Sequence, residues 1–495
     1  MKAISSQELA THNTKDDIWV AIHGKVYDLT KFLPNHPGGQ SVILKYAGQD
    51  ATLAFEPIHP PDILSAYLSP RHCMGELDDI TGTPPTVKKE ARADEQVRIA
   101  REHMPRLDEM YNSFDFESVA KTVLKPVAWA YYSSGSDDEV SMRENHNAFH
   151  RIWLRPRVLV NVKELDVSTT MLGAPVSMPL YISATALGKL GHPDGELVLT
   201  RAAGQQKIIQ MIPTLGSCSF DEMVNTALPA QTQWLQLYAN SNRSISENLV
   251  RHAEKRGLKG LFVTVDAAQM GHREKDMRAK YSMEGPANVD EQLGVNQDEG
   301  TSKYVSSFID PSLNWDDLTW LHGLTKMPIV LKGIQTPEDA VLAARHGCAG
   351  IVVSNHGGRQ LDFSPSPIEL LPGIMDALRV EGLDKDFEVY IDGGIRRGSD
   401  IFKAIALGAK GVGIGRPALY AMVTYGDSGV KKLLQLLHDE LVMCMRLMGA
   451  PTIGHITSRM VDIRNLKDHF VQSPLDYLSH YTYEQMLPRA HHSKL

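Results

Sequence analysis

Short apolar runs rich in β-branched residues recur along the C-terminal three-quarters of the chain, and most carry a polar residue at or near their C-terminal end. They are "MPLYISAT" (178–185), "KIIQMI" (207–212), "QWLQLYA" (233–239), "GLFVTVDA" (260–267), "PIVLKG" (328–333), "GIVVSNHG" (350–357), "EVYIDGG" (388–394) and "GVGIGR" (411–416). Each has the length and composition of a buried parallel strand. Between them, 195–206, 337–346 and 398–407 carry apolar residues at helical spacing. Strands alternating with helices over 107–470 predict an α/β fold, a TIM (β/α)8 barrel. A doubly wound open sheet alternates in the same way, but no G-x-G-x-x-G turn follows the first strand.

The polar residues fall where a barrel places its chemistry. Thr185, Gln236, Tyr238, Thr264, Asp266, Lys332, His356, Asp392 and Arg416 lie at or just after the C-terminal ends of their strands. Barrel active sites assemble on that face. One such residue means little; a set spread over most of the strands predicts a shared site.

Upstream the composition changes. Residues 1–77 are compact and His-bearing, whereas 78–106 is dense in alternating charge and short of large apolar residues, as expected of a tether that is in part helical. Residues 471–495 form a C-terminal tail. A net charge of -8 argues against nucleic acid as the partner, because phosphate neutralisation needs a basic face. No apolar run reaches the length of a membrane span. Cys73, Cys218, Cys348 and Cys444 are scattered without metal or redox spacing and read as thiols of a reducing compartment.

Two histidines carry the first chemistry. "FLPNHPGGQ" (32–40) sets His36 in a turn whose Pro and Gly residues let the backbone crowd a flat ligand, and His59 follows in "FEPIHPPD". A turn histidine and a capping histidine would explain either residue alone. The stretch "SVILKYAGQDATLAF" between them is expected to form an apolar helix walling a pocket, with "DIWVAIHGKVYDLTKFL" as its floor. The segment resembles the α+β cytochrome b5-like haem domain, whose H-P-G-G motif carries an axial ligand. The resemblance implies that His36 and His59 are the two iron ligands of haem b. An iron held from both sides passes electrons and does not bind oxygen.

"SNHGGRQLD" (354–362) carries the second. A His after a strand, three residues before an Arg, can put a base and a carboxylate clamp around one small substrate. "IDGGIRRG" (391–398) and "GIGRP" (413–417) follow at the ends of the last two strands, where barrels often hold a phosphate. Their glycines admit backbone amides to a phosphate, and Arg396 and Arg416 can supply charge. Over 107–470 the chain resembles the FMN-dependent 2-hydroxy-acid dehydrogenases and oxidases. With the haem segment in front, it resembles the flavocytochrome b2 family.

That resemblance implies oxidation of L-lactate, or a related small L-2-hydroxy acid, with electrons passing from FMN through haem to a cytochrome c-like acceptor. It implies catalytic roles for Tyr131, Tyr238, Asp266, Arg273, Lys332, His356 and Arg359. Arg359, Tyr131 and Arg273 would hold the substrate carboxylate. His356 would be the base, oriented by Asp266, and Lys332 would stabilise the reduced flavin. Thr185, Ala186, Gln236, Thr264, Lys332, Ser354, Asp392, Gly393, Gly394, Arg396, Gly415 and Arg416 would bind FMN, while Ala186 and Leu215 would line the substrate's side-chain slot. The alternative within the family is an oxidase that reduces oxygen to hydrogen peroxide. Whether His356 takes the α-proton or the hydroxyl proton is left open by the residues.

One departure stands out: Pro213 sits where family members often have a serine facing the flavin, and proline offers only a carbonyl. The acidic stretch 284–302 is expected to be a lid or a surface loop. The family suggests a homotetramer. The chain ends Ser493-Lys494-Leu495, the tripeptide read by the peroxisomal import receptor. The expected location is therefore peroxisomal, with the cytoplasm as an alternative, or the mitochondrial intermembrane space if a presequence is removed. A fluorescent fusion that preserves the tail should enter peroxisomes and become cytosolic when 493–495 are deleted; imaging of the two forms checks this.

Overall fold

The computed structural model describes residues 2–33, 36, 40–56, 58–60, 63–78, 87–281 and 309–469. The 284–302 stretch, the 471–495 tail, and Pro37, Gly38 and Gly39 beside His36 lie outside them.

The N-terminal unit is built on a five-stranded sheet. Its strands are β1 (Ala3–Ile4), β2 (Asn13–Thr14), β3 (Asp17–Ile22), β4 (Lys25–Asp28) and β5 (Cys73–Leu77), in the order β1-β5-β4-β3-β2. The two-residue period of β3 sends Ile18, Val20 and Ile22 into one apolar cluster and Ala21 into another on the opposite face. The single helix expected between the two histidines is instead two, Gln40–Lys45 and Thr52–Phe55. The edge of β3 takes the chain between them. Gly48 N–H donates to the Trp19 carbonyl (2.8 Å), Ala21 N–H to Gln49 (3.0 Å) and Ala51 N–H to Ala21 (2.8 Å). Gly48 stands at φ +75°, where no helix continues, and a Cβ there would come within 3.2 Å of Ala10 and Asn13. The tether contains a helix, Val87–Glu102. Its distal end is anchored where the long helix Arg416–Met448 breaks at Tyr425 and Gly426: Arg101 donates to the Val423 carbonyl (3.3 Å) and Tyr425 Oη to that of Pro105 (2.7 Å).

The rest of the chain closes a barrel. Strand β6 (Trp153–Leu154) leads in and pairs with β17 (Val461–Asp462) from the far end, while the hairpin of β7 (Thr169–Met171) and β8 (Ala174–Val176) lies ahead of the first barrel strand. Eight parallel strands then form a closed ring: β9 (Leu180–Ile182), β10 (Ile209–Ile212), β11 (Gln233–Leu237), β12 (Leu261–Thr264), β13 (Ile329–Ile334), β14 (Gly350–Val353), β15 (Glu388–Asp392) and β16 (Gly411–Ile414), with β16 pairing back onto β9. These coincide with the eight runs read from the sequence.

Alternation along the strands sorts the barrel into levels. Outward residues such as Leu180, Leu235, Val263, Ile351 and Ile414 join the large cluster under the helices. Inward, Tyr181, Met211, Trp234, Phe262, Val330, Val352 and Tyr390 pack on Met171 and Val176 of the hairpin and plug the barrel. Burying each such side chain contributes about 1.5–3 kcal/mol. Two residues further along the same strands stand Ser183, Pro213, Gln236, Thr264, Lys332, Ser354 and Asp392. Two beyond those come Thr185, Leu215, Tyr238, Asp266 and His356. The strand period therefore lays an apolar floor, a mostly polar level and a reactive level in succession.

Gly394, just after β15, stands at φ +86°, and a Cβ there would lie 1.9 Å from the Asn145 carbonyl oxygen. Gly382 has a similar φ, +68°, with nothing within 4 Å. Gly382→Ala should cost only the left-handed strain, about 1 kcal/mol. Gly394→Ala should cost clearly more in thermal unfolding, because it also displaces the helix Val140–His150 that carries Asn145.

Candidate active site

His356 follows β14 in the left-handed region, at φ +59°, and Gly357 and Gly358 continue at +66° and +75°. A non-glycine residue adopts this backbone only when its surroundings hold it there. The Ser354 hydroxyl accepts from the His356 N–H (3.0 Å), and Asn355 is locked to Asn145 by two reciprocal amide bonds of 2.7 and 2.8 Å. The turn delivers the imidazole to Asp266, with His356 Nδ1 2.9 Å from Asp266 Oδ1. An ionised carboxylate only accepts, so the proton is on Nδ1, and Nε2 is left as the basic nitrogen. Tyr238 Oη lies 3.3 Å from Nε2.

Asp266 is in turn confined. A Cβ on Gly333 would come within 2.6 Å of its side chain, so only glycine fits on the neighbouring strand. Burial alone would raise the Asp266 carboxyl, but the His356 imidazole and the Lys332 ammonium outweigh it and hold it below the usual aspartate range. Lys332 is buried beside Asp392 (3.3 Å) and donates to Ser354 Oγ (3.2 Å). Burial opposes its charge, yet Asp392 and Asp266 keep it protonated above the ordinary lysine value.

Across the mouth, Tyr131 lies between two guanidiniums. Arg359 Cζ is 5.1 Å and Arg273 Cζ 5.4 Å from the centre of its ring. Arg359 Nη1 donates to the carbonyls of Tyr131 (2.8 Å) and Ser134 (3.1 Å), which sets the plane of the fork. Burial, then repulsion from Arg273, pushes the Arg359 guanidinium down to about 9. A guanidinium does not surrender its proton in a protein, so even with Asp276 beside Arg273 (3.9 Å) this field favours an anion at the mouth. A small carboxylate is such an anion and would present its α-carbon towards His356.

The second level fits a group with a polar edge. Thr185 Oγ1 and Asp392 Oδ1 are buried without hydrogen-bond partners among the described residues. Gln236 donates to Thr264 Oγ1 (3.0 Å) and accepts from the Thr214 N–H (3.1 Å). Gly393 and Gly394 have positive φ, and a Cβ on Gly415 would meet only Thr185, 3.8 Å away, so space is open there. Gly415 also caps the helix Arg416–Met448 without a side-chain bond, which leaves N–H groups at its start for an anion. These features fit FMN. The two arginines expected at its phosphate differ. Arg416 donates to the carbonyls of Tyr132, Gly357 and Ser134 at the barrel mouth (2.7–2.9 Å). Arg396 is turned to the helix Ser113–Val123, bonded to Ser113 and Glu117 and lying over Phe114. Its charge is thus compensated by Glu117.

A separate, largely apolar pocket in the N-terminal unit is lined by Val20, Ile22, Leu29 and Phe32, with His36 and His59 on its wall. The two imidazole centres are 6.2 Å apart. Two metal–nitrogen bonds of about 2 Å each plus the two half-rings span roughly that distance. His59 Nδ1 donates to the Phe55 carbonyl (3.2 Å), leaving Nε2 as the ligating atom. Burial lowers the His59 pKa to about 4, so the ring is neutral and its lone pair available. Apolar walls and two imidazoles at this separation, with His59 held neutral, fit haem.

Several residues of the site carry no sequence signal. Asn145 and Asn355 face each other from positions far apart in the chain, and Glu139 accepts from the Gly135 N–H (2.8 Å). Glu196 lies fully enclosed beneath two of the strand-end loops.

Residues 120–463 match the FMN-dependent dehydrogenase family, and residues 5–78 match the cytochrome b5-like haem/steroid-binding domain. The chain is 50% identical to an L-lactate dehydrogenase (cytochrome) of Wickerhamomyces anomalus, across 98% of this chain and 84% of the relative. It is 39% identical to glycolate oxidase 3 of Arabidopsis thaliana, across 74% of this chain and all of the relative. Among solved structures, a flavocytochrome b2 variant with benzoylformate superposes with a TM-score of 0.72 at 46% identity, covering 80% of this chain and 98% of that one.

Asp266→Asn keeps the size and one acceptor but removes the charge beside His356. It should lower kcat by about 10²–10⁴-fold with bound flavin unchanged. Loss of flavin with kcat per bound flavin preserved would make Asp266 part of the scaffold instead.

Proposed function

Since the chain belongs to the FMN-dependent dehydrogenase family and carries a cytochrome b5-like domain ahead of the barrel, we propose that it oxidises L-lactate, or a closely related small L-2-hydroxy acid, to the 2-oxo acid and passes the electrons through haem to a cytochrome c-like acceptor. The observation that carries this is the His356–Asp266 pair at a barrel mouth where two guanidiniums flank the Tyr131 ring, in a chain that also holds two histidines 6.2 Å apart, ring centre to ring centre. The near full-length likeness to a cytochrome-linked L-lactate dehydrogenase supports the substrate and the acceptor.

Arg359 and Arg273 neutralise the substrate carboxylate, and Tyr131 between them fixes its height above the mouth. Asp266 keeps the Nδ1–H tautomer of His356, so Nε2 receives a proton from the substrate, from either the hydroxyl or the α-carbon. The imidazolium that results is stabilised by the same carboxylate at 2.9 Å. Tyr238 donates to Nε2 before substrate binds and to the substrate oxygen afterwards. Lys332 places positive charge at the polar level, where negative charge would accumulate. Bound FMN would supply the two-electron acceptor and haem the one-electron relay. Ala186 and Leu215 bound the substrate's side chain, and Leu215 packs against the same small cluster, Ala267 and Ile309, as Tyr238.

An oxidase that makes peroxide draws support from the likeness of the barrel to a glycolate oxidase. The paired-histidine cavity favours the dehydrogenase. A peroxisomal address rests on Ser493-Lys494-Leu495, outside the described residues. The homotetramer suggested by the family is a proposal, with exposed apolar side chains such as Trp153, Leu159 and Leu447 available for contacts between copies. Among the described residues no helix is long and apolar enough to cross a membrane.

Anaerobic addition of L-lactate should bleach the flavin band and reduce the haem bands, and added cytochrome c should then be reduced. Peroxide formation in air without cytochrome c reduction would overturn the dehydrogenase reading in favour of the oxidase.

A further inference from the structure

The loops after β9 and β10 are stitched together by one carboxylate that the reaction itself does not use. Glu196 opens the helix Glu196–Gln205 and is fully enclosed. Every partner of its carboxylate is a neutral donor. Oε1 accepts from the Gly188 N–H and the Ser217 N–H, both at 2.9 Å, and Oε2 from Ser217 Oγ (2.8 Å) and the Cys218 N–H (3.1 Å). Gly188 belongs to the loop that carries Thr185 and Ala186, and Ser217 and Cys218 to the loop that carries Pro213 and Leu215. Ser217 Oγ also accepts from the Lys189 N–H (2.9 Å), so one hydroxyl joins both loops to the carboxylate.

The approach of the backbones is close enough to need glycine. A Cβ on Gly188 would come within 2.9 Å of the Glu196 nitrogen, and one on Gly195 would come within 2.9 Å of Lys189 Cγ and 3.2 Å of Ser217 Oγ. On its far side the first loop is held by Tyr132, whose Oη donates to the Leu187 carbonyl at 2.6 Å. An ionised carboxylate is acceptor-only on both oxygens, which matches four converging donors; an amide would turn two of its own N–H groups against them. The spacing of the two loops therefore depends on the charge state and chemistry of this side chain as well as on its volume.

We propose that Glu196 is a positioning residue for substrate choice: it fixes the separation of Ala186 from Leu215, and with it the size of side chain the 2-hydroxy acid can carry. This rests on the reading of Ala186 and Leu215 as the walls of the side-chain slot. Glu196→Gln is nearly isosteric and replaces two acceptor positions by donors. Ser217→Ala removes one donor and the bridge to Lys189 while leaving the carboxylate in place.

The test is the ratio of kcat/KM for L-lactate to that for L-2-hydroxy acids with longer or aromatic side chains, measured on the full-length holoenzyme with flavin content as a control. Glu196→Gln should lower that ratio by roughly fivefold or more, chiefly through KM for L-lactate, because one methylene of misfit is worth tenfold or more in such a slot. Ser217→Ala should move it in the same direction by less. Where Glu196→Gln does not fold, Ser217→Ala decides alone. An unchanged ratio in the folded variants overturns the proposal, even if all substrates slow together. A wild-type enzyme that oxidises no 2-hydroxy acid overturns the functional reading instead, and the two failures are distinct.

Discussion

On a closed parallel barrel a side chain can face only the axis or the helices, and everything at this site follows from how the inward set is stacked. The lowest level is apolar and interlocked, with Trp234 stacked on Phe262 at 4.5 Å and Tyr181 and Tyr390 packed edge-on beside them. That plug lets the next level be polar without admitting water from below. Thr264, Lys332, Ser354 and Asp392 then sit on a rigid floor, and the level above them presents Tyr238, Asp266 and His356. Moving any strand by one residue would exchange these groups for the aliphatic residues under the helices, so register and chemistry are one constraint. Pro213 is the exception at the polar level: it is buried and offers neither hydroxyl nor N–H.

The electrostatics are arranged as unmet demands. Arg273 is fully buried beside Asp276 (3.9 Å), and the half-buried Arg359, crowded by Arg273, is left with backbone carbonyls, so an anion at the mouth would complete the arrangement. Lys332 has Asp392, and Asp266 has His356, before substrate arrives. Backbone carbonyls do much of the aiming. Those of Tyr131, Tyr132 and Ser134, at the end of one short helix, hold both Arg359 and Arg416. The Ser134 carbonyl serves both guanidiniums and so helps set the carboxylate clamp from outside the catalytic set.

The haem-type cavity obeys a different rule. Its walls are largely apolar, and beside Tyr46 and Tyr67 they carry the two histidines that would hold an iron. Burial that would be costly for a charged group is harmless to a neutral imidazole, and it leaves the lone pair for a metal. The same β3 whose inward residues line the cavity also captures the chain at Gly48–Ala51, which is why the wall consists of two short helices and not one. Apolar content alone reads as a longer helix, because the competing partner, an unpaired strand edge, is remote in sequence.

Taken by itself, the sequence determined the number and place of the barrel strands, the residues at their ends and the pair of histidines, because strand periodicity and short turn motifs are local. The convergence of Tyr131, Tyr238, Asp266, Arg273, His356 and Arg359 could be named in advance from family likeness, but their distances could not. Tertiary structure alone decided the partners of buried polar groups. It paired Asn145 with Asn355 across 210 positions, gave Arg396 to Glu117, and enclosed Glu196 among donors from two loops. The physical reason is range. A strand or a turn is specified by neighbours along the chain, whereas a buried carboxylate or amide is satisfied by whatever donors packing brings to it, and nothing in its own neighbourhood says which those are.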